Sequence, residues 1–548
     1  MYQYQSVDRA LVQQRVDQFR DQLNRFNAGE LGEDEFKQLR LRNGVYVQLH
    51  APMLRVAIPY GLLSSQQLRT LAGVGSKWDR GFGHMTTRQN MQFNWIEMDN
   101  IPDVLQTLAD VDMHAIQTSG NCIRNVTTDP LAGAAGDEFE DPRPWCEYIR
   151  QWANFHPEFN WLPRKFKIAV SGASKDRAAV AVHDIGLRIF HNDEGEVRFR
   201  VLVGGGLGRT PHIAQVLHES LPPEHLLSYL EATIRVYNLA GRRDNIYKAR
   251  IKILVNAIGI DSFRDQVNAE WAKSRAFAPA WEPERVQQIQ ADFAVDLPAR
   301  TGELNLAEIK NISFKGWLSQ NTQPHKQAGY TVVSVSLKSP RRPAGDITSE
   351  QMQALADLAD QHSQGEIRAT HDQNLVLAHV PTEELENLYE ALHAVDLAEA
   401  NIGTLADMII CPGMDYCSLA NASSIAIWDQ INARFTNLDY LHDLGDIKIR
   451  VSGCMNACAH HHVADIGVLG VEKKGIEWYQ LTLGGHSGDG ARIGKRLGPA
   501  VAKSDVAQTV DDVLAVYLAQ REQEESFVET LDRIGISAFQ EKIYATAA

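Results

Sequence analysis

The chain has 548 residues and a formal net charge of −15, with 44% hydrophobic and 22% charged residues. That length is too great for one ordinary core, so two to four domains are expected. The acidic balance argues against extended nucleic-acid binding, which needs Lys and Arg to neutralise phosphates, and no apolar run is long enough to span a bilayer.

Residues 1–40 are rich in Arg, Gln, Asp and Glu. They read as exposed helix and lack the apolar stretch of a secretory signal, so a cytoplasmic protein is expected. An alternating apolar run at 54–58 predicts a strand, followed by a helix over 65–78, a strand over 90–96 and a helix over 102–109. Strands follow at 166–170 and 197–203, then a long helix around 223–240. The stretch 276–302, with Pro279, Pro283 and Pro298, reads as a linker. A second series then repeats the first: strand 330–335, helix 349–361, strand 374–380, helix 382–393. Strands at 447–451 and 478–483 and an amphipathic helix at 505–523 complete the chain. The order of elements predicts small mixed units packed side by side.

Sequence blocks repeat along with the elements. Lys167-Ile-Ala-Val-Ser-Gly172 recurs as Lys448-Ile-Arg-Val-Ser-Gly453, and Val182-His-Asp-Ile-Gly186 as Val463-Ala-Asp-Ile-Gly467, both 281 residues on. Val201-Leu-Val-Gly-Gly205 matches Leu481-Thr-Leu-Gly-Gly485, and Thr86-Thr-Arg-Gln-Asn90 matches Thr370-His-Asp-Gln-Asn374. One nearly constant offset means duplication of a large unit, not a solenoid. The copies have diverged. Ala173 stands where the second copy has Cys454, and Arg88 where it has Asp372. One half keeps paired thiols and the other keeps cations, as expected if both border one shared site.

Four of the six cysteines form the two pairs, Cys411 with Cys417 and Cys454 with Cys458. Six cysteines are too few for a disulfide framework in a chain this long, and such pairs point to metal. Four thiolates from two Gly-bearing turns suit an iron–sulfur cubane or a zinc ion. Structural zinc sites favour gaps of about two to four residues, so the five-residue gap of the first pair leans towards iron–sulfur. The first half offers Arg88, Arg124, Lys165 and Lys167. Lys165 and Lys167 alternate along a predicted strand and share a face, with Arg164 on the other. Two ammoniums so placed suit a small oxyanion and proton donation to it. A solvated sheet edge is the plain alternative. Arg243, Lys248, Arg250 and Lys252 form a dense basic stretch, which a basic helix surface also explains. Gly204-Gly-Gly-Leu-Gly208 lacks the downstream acid of a dinucleotide fingerprint. His460, His461 and His462 are adjacent and read as structural.

Several of these pieces together resemble the siroheme-dependent sulfite and nitrite reductases. They are Thr86-Thr-Arg-Gln, Ser119-Gly-Asn-Cys-Ile-Arg-Asn125, Leu162-Pro-Arg-Lys-Phe-Lys167, Val203-Gly-Gly-Gly206, and both cysteine motifs including Ser452-Gly-Cys-Met-Asn-Ala-Cys458. The resemblance runs from about residue 45 to the end and implies an α+β fold. Its parts would be a helical arm (1–45), two ferredoxin-like halves (46–115 and 301–400), and two mixed siroheme and iron–sulfur domains (116–300 and 401–548). It implies a [4Fe-4S] cluster on Cys411, Cys417, Cys454 and Cys458, with Cys458 bridging to siroheme, and Asn456 beside it. Arg243, Lys248, Arg250 and Lys252 are available for siroheme carboxylates. Arg88, Arg124, Lys165 and Lys167 would surround sulfite on its way to sulfide, an assimilatory reaction. Electrons would come from a ferredoxin or a separate flavoprotein subunit, and no nucleic acid or membrane partner is expected.

Lys167 stands where nitrite-reducing relatives tend to carry Asn, which favours sulfite over nitrite. Tyr60 fits the tyrosine that some relatives cross-link to a cysteine, but Ser119 stands at the expected cysteine position, so no such bond is expected. Cys122 is placed near the pocket and Cys146 in packing. The remaining alternatives are a ferredoxin–nitrite reductase, a non-catalytic iron–sulfur sensor and a zinc-stabilised structural protein.

Overall fold

Two of the sheets exchange a strand. The first runs Val45–Val47, Pro52–Val56, Met91–Phe93, Phe82–Met85 and then Asp346–Thr348, which belongs to the second copy. The second runs Thr322–Pro324, Tyr330–Val335, Leu375–Pro381, Glu366–Ala369 and then Leu62–Ser64, which belongs to the first. The registers are reciprocal, with His84 opposite Asp346 and Arg368 opposite Leu62. The computed structural model describes residues 4–154, 156–278 and 280–544, so Pro279 of the expected linker lies outside the described residues.

Each exchanged strand leads directly into a helix, and the sequence sets the junction. Ser64 accepts from the Gln67 amide at 3.0 Å and its own amide donates to the Gln67 side chain at 3.0 Å. Thr348 and Gln351 repeat this capping box at 3.1 Å each way. The helices Ser65–Trp78 and Ser349–His362 follow. Their apolar faces (Leu68, Leu71, Leu355, Ala359) share one buried core with Leu54, Val56, Val333, Leu375 and Leu377 of the sheets.

The duplication extends to the other two sheets. In one, Thr127–Thr128, Ile168–Ser171 and Ile185–His191 pair in parallel, then Val197–Val203 and Gln215–Leu221 continue antiparallel. In the other, Ile409–Ile410, Ile449–Ser452 and Ile466–Lys473 are parallel and Ile476–Leu483 turns antiparallel. Each has its own core, around Phe166, Phe199 and Tyr237 in one and Ile449, Tyr479 and Tyr517 in the other. The architecture is α+β and internally duplicated, as the sequence led us to expect.

Two expectations need correction. The N-terminal segment is not simply exposed. The helix Ser6–Asn27 buries Val12, Val16, Phe19 and Leu23, a stripe at spacings of three and four that the charged residues between them obscured. Arg9 grips Asp112 at 2.7 and 2.8 Å, which fixes this helix to the first half. The stretch 276–302 is not merely a linker either. Pro283 sits in the first turn of a helix, Pro283–Phe293, where its missing N–H costs nothing, and Val286, Ile289 and Phe293 are buried. Among the described residues no helix is long and apolar enough to cross a membrane.

Candidate functional site

Two backbone bonds place the lysines. The amide of Phe166 donates to Cys122 O at 2.9 Å, and that of Arg124 to Phe166 O at 2.7 Å. Phe166 therefore turns into the core beneath, and Lys165 and Lys167 are left half-buried on the opposite side. The regular strand starts only at Ile168. Strict alternation fails one residue earlier, and Arg164 lines the same cavity as Lys165 instead of the other face.

Arg124 organises its own loop, donating to Thr118 O at 2.7 Å and to Gly120 O at 2.8 and 3.2 Å. Arg88 comes from the turn after Met85. Its amide donates to Thr86 Oγ1 at 3.3 Å, and its guanidinium donates to Asn125 O and, at 3.3 Å, to Thr127 Oγ1. Arg250 forms a bidentate pair with buried Asp184 at 2.7 and 2.8 Å, and Asp184 also accepts the Lys167 amide at 2.8 Å. Sequence reading did not single out Asp184 as a site residue. The signal was the repeated Asp-Ile-Gly block, since Asp465 accepts the Lys448 amide at 2.7 Å in the same way.

These cations perturb one another strongly. Burial, then Arg124, pulls the Lys165 ammonium down to about 8, with the Cys458 thiolate acting against this. Burial, then Arg88, Lys165 and Arg250, pushes Lys167 well below the usual lysine range despite Asp184. Burial and Arg124 bring Arg88 down to about 9. Cations that share a partly desolvated pocket need an anion, because charge terms strengthen as water leaves. Tyr46 joins this group. Burial alone would raise its phenol, but Arg124, Arg55, a hydrogen bond with Ser119, and Lys165 hold it at about 8. Tyr60 does not face the cavity in this way, since its hydroxyl donates to Glu147 at 3.2 Å. Cys122 lines the cavity with its thiol donating to Ser119 O at 3.1 Å, whereas Cys146 is fully buried in the core.

The two cysteine turns meet through glycine. Gly413 has φ +61°, and a Cβ there would lie 2.5 Å from the Ser424 amide. A Cβ on Gly453 would lie 2.5 Å from Ala422 O and 2.8 Å from the Gly413 Cα. Only glycines let the backbones approach so closely. Cys411 then accepts the Gly453 amide at 3.2 Å. Burial and, after it, the Cys458 charge push Cys411 up to about 12, and Cys417 and Cys454 are raised by burial and by Cys458 too. Cys458 is thus within electrostatic reach of the other three thiols and of Lys165. It is also exposed, and Thr87 of the first half donates to its carbonyl at 2.7 Å.

Among the described residues no three His, Cys, Asp or Glu converge tightly enough to hold one ion. Four thiolates on zinc would sit about 3.8 Å apart, given its short Zn–S bonds. Four thiols gathered around Cys458 supply the donor number and the sulfur chemistry of a four-iron cluster.

The basic stretch divides. Arg250 joins the cation group. Lys252 is held by the carbonyls of Gly206, Leu207 and Thr210 at 3.2, 2.7 and 2.6 Å. Arg243 donates to Asn238 Oδ1 at 2.6 Å and Trp161 O at 3.0 Å, and Lys248 is exposed. Asn456 acts on the Cys454 thiol through both its backbone and its side chain. Of the three histidines, His462 contacts Gly208 O at 3.0 Å, His460 lies within range of Lys167 and Arg88, and His461 is fully buried.

The profile of the nitrite and sulphite reductase 4Fe-4S domain matches residues 119–275 and 407–547. That of the nitrite/sulfite reductase ferredoxin-like half domain matches 48–111 and 324–395. Sulfite reductase (ferredoxin) of Mycobacterium tuberculosis is 28% identical over 88% of this chain and 82% of its own. Ferredoxin–nitrite reductase of Synechococcus elongatus is 29% identical over 86% of each. The structure of the Mycobacterium tuberculosis NirA protein superposes with a TM-score of 0.77 at 25% identity, over 93% of this chain and 92% of that one.

Proposed function

The chain belongs to the nitrite and sulphite reductase family, and from that premise we propose that it reduces sulfite to sulfide. Cys411, Cys417, Cys454 and Cys458 would hold a [4Fe-4S] cluster, with Cys458 shared with siroheme. When bound, this pair supplies electrons singly to the substrate. The observation that carries the reading is the convergence of Arg88, Arg124, Lys165 and Lys167 into one interacting group, with Lys165 within electrostatic reach of Cys458.

Each of these residues has a task that follows from its position. Arg88 and Arg124 are fixed by backbone carbonyls and present fixed positive charge to an oxyanion. Lys165 and Lys167, with depressed proton affinity, release protons more readily than ordinary lysines. Sulfite loses its three oxygens as water while gaining six electrons, so each departing oxygen needs two protons. Arg250 is paired with Asp184, whose carboxylate also accepts the Lys167 amide, so the pair positions the segment that carries Lys167. Lys252, Arg243 and Lys248 are proposed nearer the siroheme edge.

The donor is proposed to be a ferredoxin, since relatives across most of the chain carry that name. We also propose a cytoplasmic enzyme with divisions at about 45, 115, 300 and 400; the last three fall between separate cores, whereas Val16, Phe19, Leu23 and Phe36 of the arm share the core of the first half. Steady-state reduction of sulfite and nitrite by the holoenzyme with a dye donor tests the substrate. Higher kcat/KM for sulfite is expected, and preference for nitrite would overturn it.

A further inference from the structure

A cavity of about 500 Å³ opens from the inner site towards the N-terminal helices. Six cations line it: Arg15, Arg42, Arg124, Arg164, Lys165 and Arg243. Among the described residues that line it, none is acidic, although the protein as a whole carries −15. Arg124 and Lys165 are the inner pair. Arg15 and Arg42 come from the N-terminal helices, outside the segments matched by the family profiles.

Arg42 packs on an aromatic ring, and Arg15 donates to Gln18 of its own helix at 2.6 Å. Arg42 lies over the Trp161 ring, 4.5 Å from its centroid, and the Trp161 carbonyl in turn accepts from Arg243 at 3.0 Å. Burial and the neighbouring Arg42 lower the Arg15 proton affinity. The helices beneath them are fixed by the Arg9–Asp112 fork, by Phe26 stacked on Phe36 at 4.4 Å, and by Arg40 donating to Val45 O at 3.2 Å. A flexible charged tail would give only diffuse attraction. An anchored pair at the mouth of an acid-free cavity focuses the field along one path.

Resting on the sulfite reading of the inner site, we propose that Arg15 and Arg42 form an outer subsite for small divalent oxyanions. It captures the anion at the cavity mouth before it reaches Arg124 and Lys165. The arm is then part of substrate recognition and not only packing.

Sulfate, a dianion whose binding is read without turnover, is the probe. Isothermal titration of sulfate into the oxidised holoenzyme at low ionic strength is expected to show affinity weakened about tenfold or more in R15Q/R42Q. Affinity should be retained in R15K/R42K, and both variants should carry wild-type tetrapyrrole per chain. Unchanged sulfate affinity in R15Q/R42Q would overturn the proposal. So would loss of tetrapyrrole from that variant, which would place the two guanidiniums on cofactor carboxylates. Wild-type turnover separates this from the inner reading. If the enzyme reduces nitrite in preference to sulfite while R15Q/R42Q loses sulfate, the inner reading fails and the outer subsite stands.

Discussion

Gln89 and Gln373 tie the two halves together in opposite directions. The Gln89 amide group donates to Ala369 O of the second half at 2.9 Å, and that of Gln373 donates to Met85 O of the first at 2.9 Å. Each carbonyl oxygen then accepts a backbone N–H, from Thr128 or Ile410, at 3.0 Å. Both residues have positive φ, 55° and 60°, the backbone form that turns these side chains across the divide. The adjoining residues break the symmetry. Arg88 faces the cation group, whereas its counterpart Asp372 accepts from Arg450 at 3.2 Å.

Gln373→Leu leaves the Met85 carbonyl and the Ile410 N–H buried without these partners. A loss of about 2 kcal/mol or more is expected, read as a lower urea midpoint with unchanged slope. A wild-type midpoint would mean that the reciprocal bonds contribute nothing.

Lys165 gives the site a pH limit. Its ammonium, held near 8, is charged below that pH and neutral above it. With sulfite's own ionisation allowed for, kcat/KM should fall about tenfold per pH unit above this value. Lys165→Arg should move the falling limb to higher pH. A limb that stays where it was would assign the titration to another group.

Lys167→Asn removes a cation from the inner site. Sulfite kcat/KM is expected to drop about tenfold or more, a loss of at least about 1.4 kcal/mol of transition-state binding. Nitrite, with less charge to stabilise, should lose less. An unchanged ratio of the two substrates would remove Lys167 from the account of selectivity.

How much of this was legible in the sequence depends on the range of the interaction. The thiol pairs, the repeat and the cation motifs are local patterns. The helix at 65–78 was readable to the residue because its capping box lies within four positions. The exchange of Leu62–Ser64 for Asp346–Thr348 was not readable, because nothing local records which sheet accepts a strand. Arg164 was assigned to the wrong face because periodicity was extended past the true start of the strand at Ile168. Tyr46 was missed, and Tyr60 noticed, because only the fold shows that Tyr46 stands beside Ser119 and Tyr60 beside Glu147. The arm's Arg15 and Arg42 looked like ordinary surface charge until the cavity beneath them was seen.

Gly453→Ala tests the contact between the cysteine turns. The added methyl would press on Ala422 O and the Gly413 Cα at distances that real Cβ atoms do not show. The variant is expected to purify with markedly less iron and labile sulfide per chain. Full occupancy would show that the turns can separate without releasing the metal.

The most direct test is chemical analysis with an absorption spectrum of the anaerobically purified holoprotein, produced where cluster and tetrapyrrole assembly are available. About five irons and about four acid-labile sulfides per chain are expected, together with tetrapyrrole bands that shift when sulfite is added. Zinc in place of iron, or iron and sulfide without any tetrapyrrole band, would contradict this expectation.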